Sequence, residues 1–109
     1  MLREIKGSQR LPRLLAFKLT GTGTAALGEG KYDAALVDNG TGDYTLTFTK
    51  AFARVPVIQA ASLTAEVNIK IHAISTTAVQ IKTFAMDGTT AKDAVLDIMA
   101  LGWDALDQV

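Results

Sequence analysis

Residues 38–49 read DNGTGDYTLTFT, and this stretch decides the fold. Asn39 and Gly40 tolerate the positive φ that tight hairpin turns require, so Asp38-Asn39-Gly40 predicts a reversal of the chain. After it, Tyr44, Leu46 and Phe48 fall on one side of an extended strand, and Thr45, Thr47 and Thr49 on the other. Successive side chains of a strand leave opposite faces, so this period of two marks a strand with one face buried. The segment before the turn, Tyr32–Val37, is the other arm of the hairpin.

Working outward, the same pattern recurs. Val67, Ile69 and Ile71 alternate with Asn68, Lys70 and His72. Turn signals at Gly21–Gly30, Lys50–Arg54, Ser75–Thr77 and Asp87–Thr90 separate short segments rich in Val, Ile, Thr, Phe and Tyr. The predicted strands are Leu14–Thr20, Tyr32–Val37, Asp43–Thr49, Val55–Leu63, Glu66–Ile74, Ala78–Phe84 and Ala94–Trp103. Pro56 fits only the start or edge of its strand, because it has no N–H to donate. The expected fold class is all-β, an antiparallel β-sandwich of six or seven strands. The expected organisation is a basic arm over residues 1–13, the sandwich over 14–104 and a short tail over 105–109.

The last segment admits two periods. Val95, Ile98, Met99 and Leu101 would also suit an amphipathic helix, which Gly102 interrupts, and a strand is the preferred reading. As a strand it turns Leu96, Ile98 and Ala100 to the core and Val95, Met99, Leu101 and Trp103 to the other face. Burying such side chains is worth about 1.5–3 kcal/mol each. An apolar outer face of this kind marks a contact. Val95, Met99, Leu101 and Trp103 are therefore the candidate oligomer contact, the alternative being that the segment curls over the sandwich edge and buries itself.

With 109 residues the chain supports one domain with one core, and its 49% apolar content fills that core without staples. It contains no cysteine, which removes disulfides and thiolate metal sites and fits a reducing compartment. The first residues resemble no secretory leader, and no run approaches the roughly 18 apolar residues of a membrane helix. A net charge of zero argues against general nucleic-acid binding and leaves little self-repulsion between copies. The charges are nonetheless segregated. Arg3, Lys6, Arg10, Arg13 and Lys18 stand near the start, and Asp87, Asp93, Asp97, Asp104 and Asp107 near the end. Either both ends are solvated, or the basic arm of one copy meets the acidic surface of a neighbour.

Catalytic patterns are missing. The single histidine, His72, lies on an outward-facing position, so neither a nucleophile–base pair nor a zinc site is expected. Asp38 and Asp43 flank a turn and read as turn caps rather than a hydrolase pair. With Asn39 they fall short of the ligand count of a calcium loop. Gly21-Thr22-Gly23 opens no helix, and Gly28-Glu29-Gly30-Lys31 is followed by Tyr32 rather than Ser or Thr, so neither is a phosphate loop. No catalytic residue, metal or cofactor is expected.

The run DNGTGDYTLTFTKAFARVPVIQAAS, residues 38–62, resembles small β-sandwich virion proteins and fibre domains of tailed bacteriophages. There a Gly-rich turn leads into a Thr-rich strand, an aromatic-Ala bend, a Pro and an apolar strand. The continuation, VNIKIHAISTTAVQIKTFAMDGTTAKDAVLDIMALGWD, is similar in layout to the last three strands of that group and to the H-type lectin domain, a trimeric sandwich. Phe48, Phe52, Pro56, Val79, Ile81 and Trp103 are the matching positions, and the lectins' sugar-binding residues have no counterparts. The resemblance implies a virion structural protein made in the host cytoplasm. It implies a capsid decoration, or cement, protein that binds the major capsid protein and itself, as a homotrimer, with neither nucleic acid nor membrane as partner. Leu2, Arg3, Ile5, Lys6, Arg10 and Arg13 would form the capsid-binding arm. The alternative is the lectin-like receptor-binding head of a tail fibre, with a glycan site near Asp38–Asp43 or Asp87–Asp93. A fibre head is expected to carry a shaft, which favours the decoration reading.

Overall fold

The computed structural model describes residues 10–105, which form eight strands and no helix. These are β1 (Arg10–Thr20), β2 (Ala26–Lys31), β3 (Ala34–Gly40), β4 (Asp43–Phe48), β5 (Val57–Ser62), β6 (Asn68–Ile74), β7 (Ala78–Phe84) and β8 (Val95–Ala105). They build two four-stranded antiparallel sheets, ordered β2-β1-β8-β5 and β3-β4-β7-β6.

The alternation read from the sequence explains how the sheets meet. Leu15, Phe17 and Leu19 of β1 and Leu96, Ile98 and Ala100 of β8 point inward from the first sheet. Tyr44, Leu46 and Phe48 of β4 and Val79 and Ile81 of β7 point inward from the second. All belong to one buried apolar cluster, so the sheets share a single core in the manner of a β-sandwich. Phe52, from the loop between β4 and β5, closes the core edge with its ring centroid 5.0 Å from that of Phe48, edge to face.

Several expectations need correction. There are eight described strands rather than six or seven, because the glycine-rich stretch 21–30 contributes all but the last residue of β2. β2 pairs with β1 through a bulge at which Glu29 has φ of 52°. A Cβ on Gly30 would lie on the Ala16 carbonyl, so this glycine permits close strand approach. The β3–β4 hairpin exists, but its tip is Thr41-Gly42. Asn39 is extruded as a bulge between Asp38, paired with Tyr44, and Gly40, paired with Asp43. The fifth strand starts at Val57, after the buried Pro56, and the sixth starts at Asn68, after Glu66 with φ of 59°. The last segment is a strand over its full length and not a helix.

The ends also differ from expectation. β1 begins at Arg10, and Arg10 to Arg13 pair in register with Ala105 to Gly102 of β8. Those four residues belong to the sheet rather than to a preceding arm, and Ala105 belongs to β8 rather than to a tail. The segregated charges meet within one chain. Lys18 lies opposite Asp97, with Nζ 3.1 Å from the carboxylate, and Arg13 Nε lies 3.0 Å from Asp104 Oδ1. Antiparallel pairing of the first and last strands brings the basic start against the acidic end.

Candidate functional site

Because Leu96, Ile98 and Ala100 fill the core, the odd-numbered positions of β8 face outward. Val95 is half-buried, while Met99, Leu101 and Trp103 are 44%, 43% and 42% exposed. The registers of β1 and β5 extend this face sideways. Leu14, Leu101 and Val57 form one row, Ala16, Met99 and Gln59 the next, and Lys18, Asp97 and Ala61 the third. Pro12 stands opposite Trp103. The outer face of β2-β1-β8-β5 thus carries a contiguous apolar strip with Leu14 48% and Val57 60% exposed. It is bounded by the Lys18–Asp97 ion pair.

The candidate contact residues Met99, Leu101 and Trp103 therefore share one exposed surface. Pro12, Leu14 and Val57 were not singled out from the sequence, although Leu14-Leu15 puts bulky apolar groups at both parities of β1. A shallow depression of about 430 Å³ lies beside the strip, floored by Ala16 and Ala61 and rimmed by Gln59, Met99, Asp97 and Glu29.

The outer face of the second sheet is different. Thr45 and Thr47 of β4, Gln80 and Lys82 of β7 and Lys70 of β6 occupy outward positions there, beside Ala35 and the exposed Val37 of β3 and Ala78 of β7. Asp43 accepts from Gln80 Nε2 at 2.9 Å and from Asn39 Nδ2 at 3.3 Å, with Lys82 Nζ at 3.9 Å. The bond from Gln80 is the main reason its carboxyl titrates below the ordinary value, with Asn39 and Lys82 adding to it.

The carboxylates near the loop tips hold turns. Asp38 Oδ1 accepts from Gly40 N at 3.0 Å. Asp87 accepts from the backbone of Thr89 and Thr90 and from the Thr90 hydroxyl, which first of all depresses its pKa to about 2. Asp93 accepts from Gly42 N and from the Tyr44 hydroxyl, both at 2.8 Å, tying the β3–β4 tip to the start of β8. Burial, with Asp93 adding to it, pushes the Tyr44 phenol up to about 12. His72 is exposed at a bulge of β6. Among the described residues no group of three or more His, Asp or Glu is placed to hold a metal ion.

Of the candidate arm, Leu2, Arg3, Ile5 and Lys6 lie outside the described residues. Arg10 contributes backbone to β1. Arg13 is buried, 9% exposed, and its guanidinium sits 3.9 Å over the Phe52 ring and donates to Lys50 O at 2.7 Å. With Asp104 beside it, Arg13 serves the fold and is not free to grip a partner.

No protein-family model, curated protein or solved structure matches this chain. Its function is therefore argued from its own surfaces.

Proposed function

We propose that this protein is a structural assembly subunit, a decoration or cement protein of a tailed-phage shell, that makes its assembly contacts through the outer face of β2-β1-β8-β5. The observation that carries the assembly reading is the contiguous exposure of Leu14, Val57, Met99, Leu101 and Trp103 on one sheet face. Contiguous apolar patches of this kind mark interaction surfaces on otherwise water-facing proteins. The shell as partner rests on the phage-like pattern of residues 38–104. A glycan site at the loop tips draws no support from Asp38, Asp87 and Asp93, whose carboxylates already accept backbone donors of their own turns.

The test is rebinding. The purified chain is expected to co-sediment with shells of the virus that encodes it, and Leu101→Asp is expected to abolish co-sedimentation while leaving the far-ultraviolet circular dichroism unchanged. Reproducible glycan-array binding by a chain that ignores shells would overturn the reading.

A further inference from the structure

Resting on that assembly reading, we infer that the outer face of β2-β1-β8-β5 is covered by the same face of a second copy, sheet against sheet, with Trp103 seated in the partner's Ala16–Ala61 depression. The pairing is two-fold, and thus differs from the three-fold assembly that the resemblance to lectins and fibres implies.

The first argument is how the strand edges are blunted. β2 is bulged at Glu29, β3 at Asn39 and β6 at His72, while Pro56 precedes β5. Beyond β2, the edge of β1 from Arg10 to Leu15 has no neighbouring strand among the described residues. There Ala53 N donates to Trp103 O, so the backbone of Trp103 points away from β1. Pro12, opposite Trp103, therefore turns its missing N–H to that open edge. Bulges and edge prolines deter strand addition. The outer face of the first sheet carries no comparable deterrent, so contact runs through side chains.

The second argument is area. Two middle strands of 11 residues and two flanking strands of 6 project roughly 500 Å² at ~3.3 Å per residue and ~4.8 Å between strands. Two such faces reach the approximately 1,000 Å² total that a specific interface needs.

The third argument is self-complementarity, which a two-fold contact requires. A two-fold axis lying between the sheets and crossing the strands at Ala100 sets Leu101 against the partner's Met99. It sets the bulky row Leu14–Leu101–Val57 over the partner's Ala16–Met99–Gln59, and Trp103 over the row of the partner's Lys18, Asp97 and Ala61. The depression at that row has an alanine floor and a rim of Glu29, Asp97 and Gln59. The rim supplies acceptors for the indole N–H, which a buried tryptophan needs. Charge follows the same operation. The loop carrying exposed Lys50 and Arg54 is anchored at the Trp103 end by Ala53, and Glu29 stands toward the other end, beside the internally paired Lys18 and Asp97. Antiparallel stacking opposes these unlike ends.

Trp103 is the chain's sole tryptophan, so its fluorescence reports the site. The full chain at micromolar concentration is expected to scatter as a dimer with blue-shifted emission that moves to the red on dilution. Trp103→Asp, and separately Ala61→Lys at an exposed strand position, are expected to scatter as monomers with unchanged circular dichroism. A trimer, or a dimer that survives both substitutions, overturns the two-fold pairing but leaves the assembly reading standing. A monomer with water-exposed emission that still binds shells overturns the inference alone. A monomer that also ignores shells overturns both.

Discussion

The two sheets have the same number of strands and contribute comparably to one core, yet their outer faces differ. Thr45, Thr47, Gln80, Lys82 and Lys70 face outward from β3-β4-β7-β6, interrupted by the exposed Val37. Leu14, Val57, Met99, Leu101 and Trp103 face outward from β2-β1-β8-β5. An antiparallel sheet covered on one side alternates apolar and polar residues, as β4 does. A strand apolar on both faces, as β8 largely is, belongs to a sheet with neighbours on both sides. The difference separates what folds the molecule from what it presents to partners, and each of the following experiments probes it.

The largest effect is expected within β8 itself. Leu96→Ala removes a fully buried side chain and should cost about 2–5 kcal/mol, as large-to-small core changes do. Leu101→Ala, five residues along and outward-facing, should change monomer stability by less than about 1 kcal/mol. Urea unfolding of the two variants at a concentration that keeps the chain monomeric measures the ratio. Equal losses would mean that Leu101 is part of the monomer's core and would remove the distinction between the faces.

Next in size is the polar knot that joins the β3–β4 tip to β8. The Tyr44 phenol is raised from its ordinary value to about 12 in the fold. The folded state therefore favours the neutral form. Its contribution is complete below pH 10 and is lost as pH rises from about 10 to 12. Two pKa units correspond to about 2–3 kcal/mol. Tyr44→Phe is expected to remove this alkaline sag from a stability–pH curve while lowering stability at neutral pH. An unaltered sag would assign it to another group.

β4 was legible because its alternation is local, and so was β8 once the helical period that Gly102 interrupts is set aside: residues 43–48 and 95–103 then sort inward from outward without any other part of the chain. β2 was not. Its glycines look like loop residues, and only the nearness of the Ala16 carbonyl explains why Gly30 stands in a strand. Arg13 was misplaced for a similar reason. Its partners Lys50, Phe52 and Asp104 are distant in sequence and meet only after β1 and β8 pair. The apolar face was half legible. Met99, Leu101 and Trp103 followed from parity along one strand, whereas Leu14 and Val57 joined them through cross-strand register.

A smaller effect comes from making one outer face resemble the other. Met99→Thr with Leu101→Thr gives β8 the threonine pattern of β4. Both positions are more than two-fifths exposed, so the pair should shift monomer stability by no more than about 1 kcal/mol. Self-association, read by light scattering, should be lost. Retained association would place the contact between copies elsewhere and leave the apolar strip without a role in self-association.

The smallest effect is expected at the border of that face, where Lys18 and Asp97 pair across β1 and β8 with Asp97 more than half exposed. Exposed pairs contribute between 0 and about 1 kcal/mol and weaken as salt screens them. In the monomer, Asp97→Asn should fall within that range and its effect should shrink between low and high salt. In the proposed dimer the same carboxylate lies beneath the partner's Trp103, so Asp97→Asn should weaken association more than it weakens the fold. A double-mutant cycle of Asp97→Asn with Trp103→Phe reads that difference directly. Coupling in the dimer equilibrium with none in monomer unfolding is the expected result, because Asp97 and Trp103 lie six residues apart on one extended strand, about 20 Å, and cannot touch within one chain. Strict additivity in both equilibria would leave Trp103 without its seat and the two outer faces differing in composition alone.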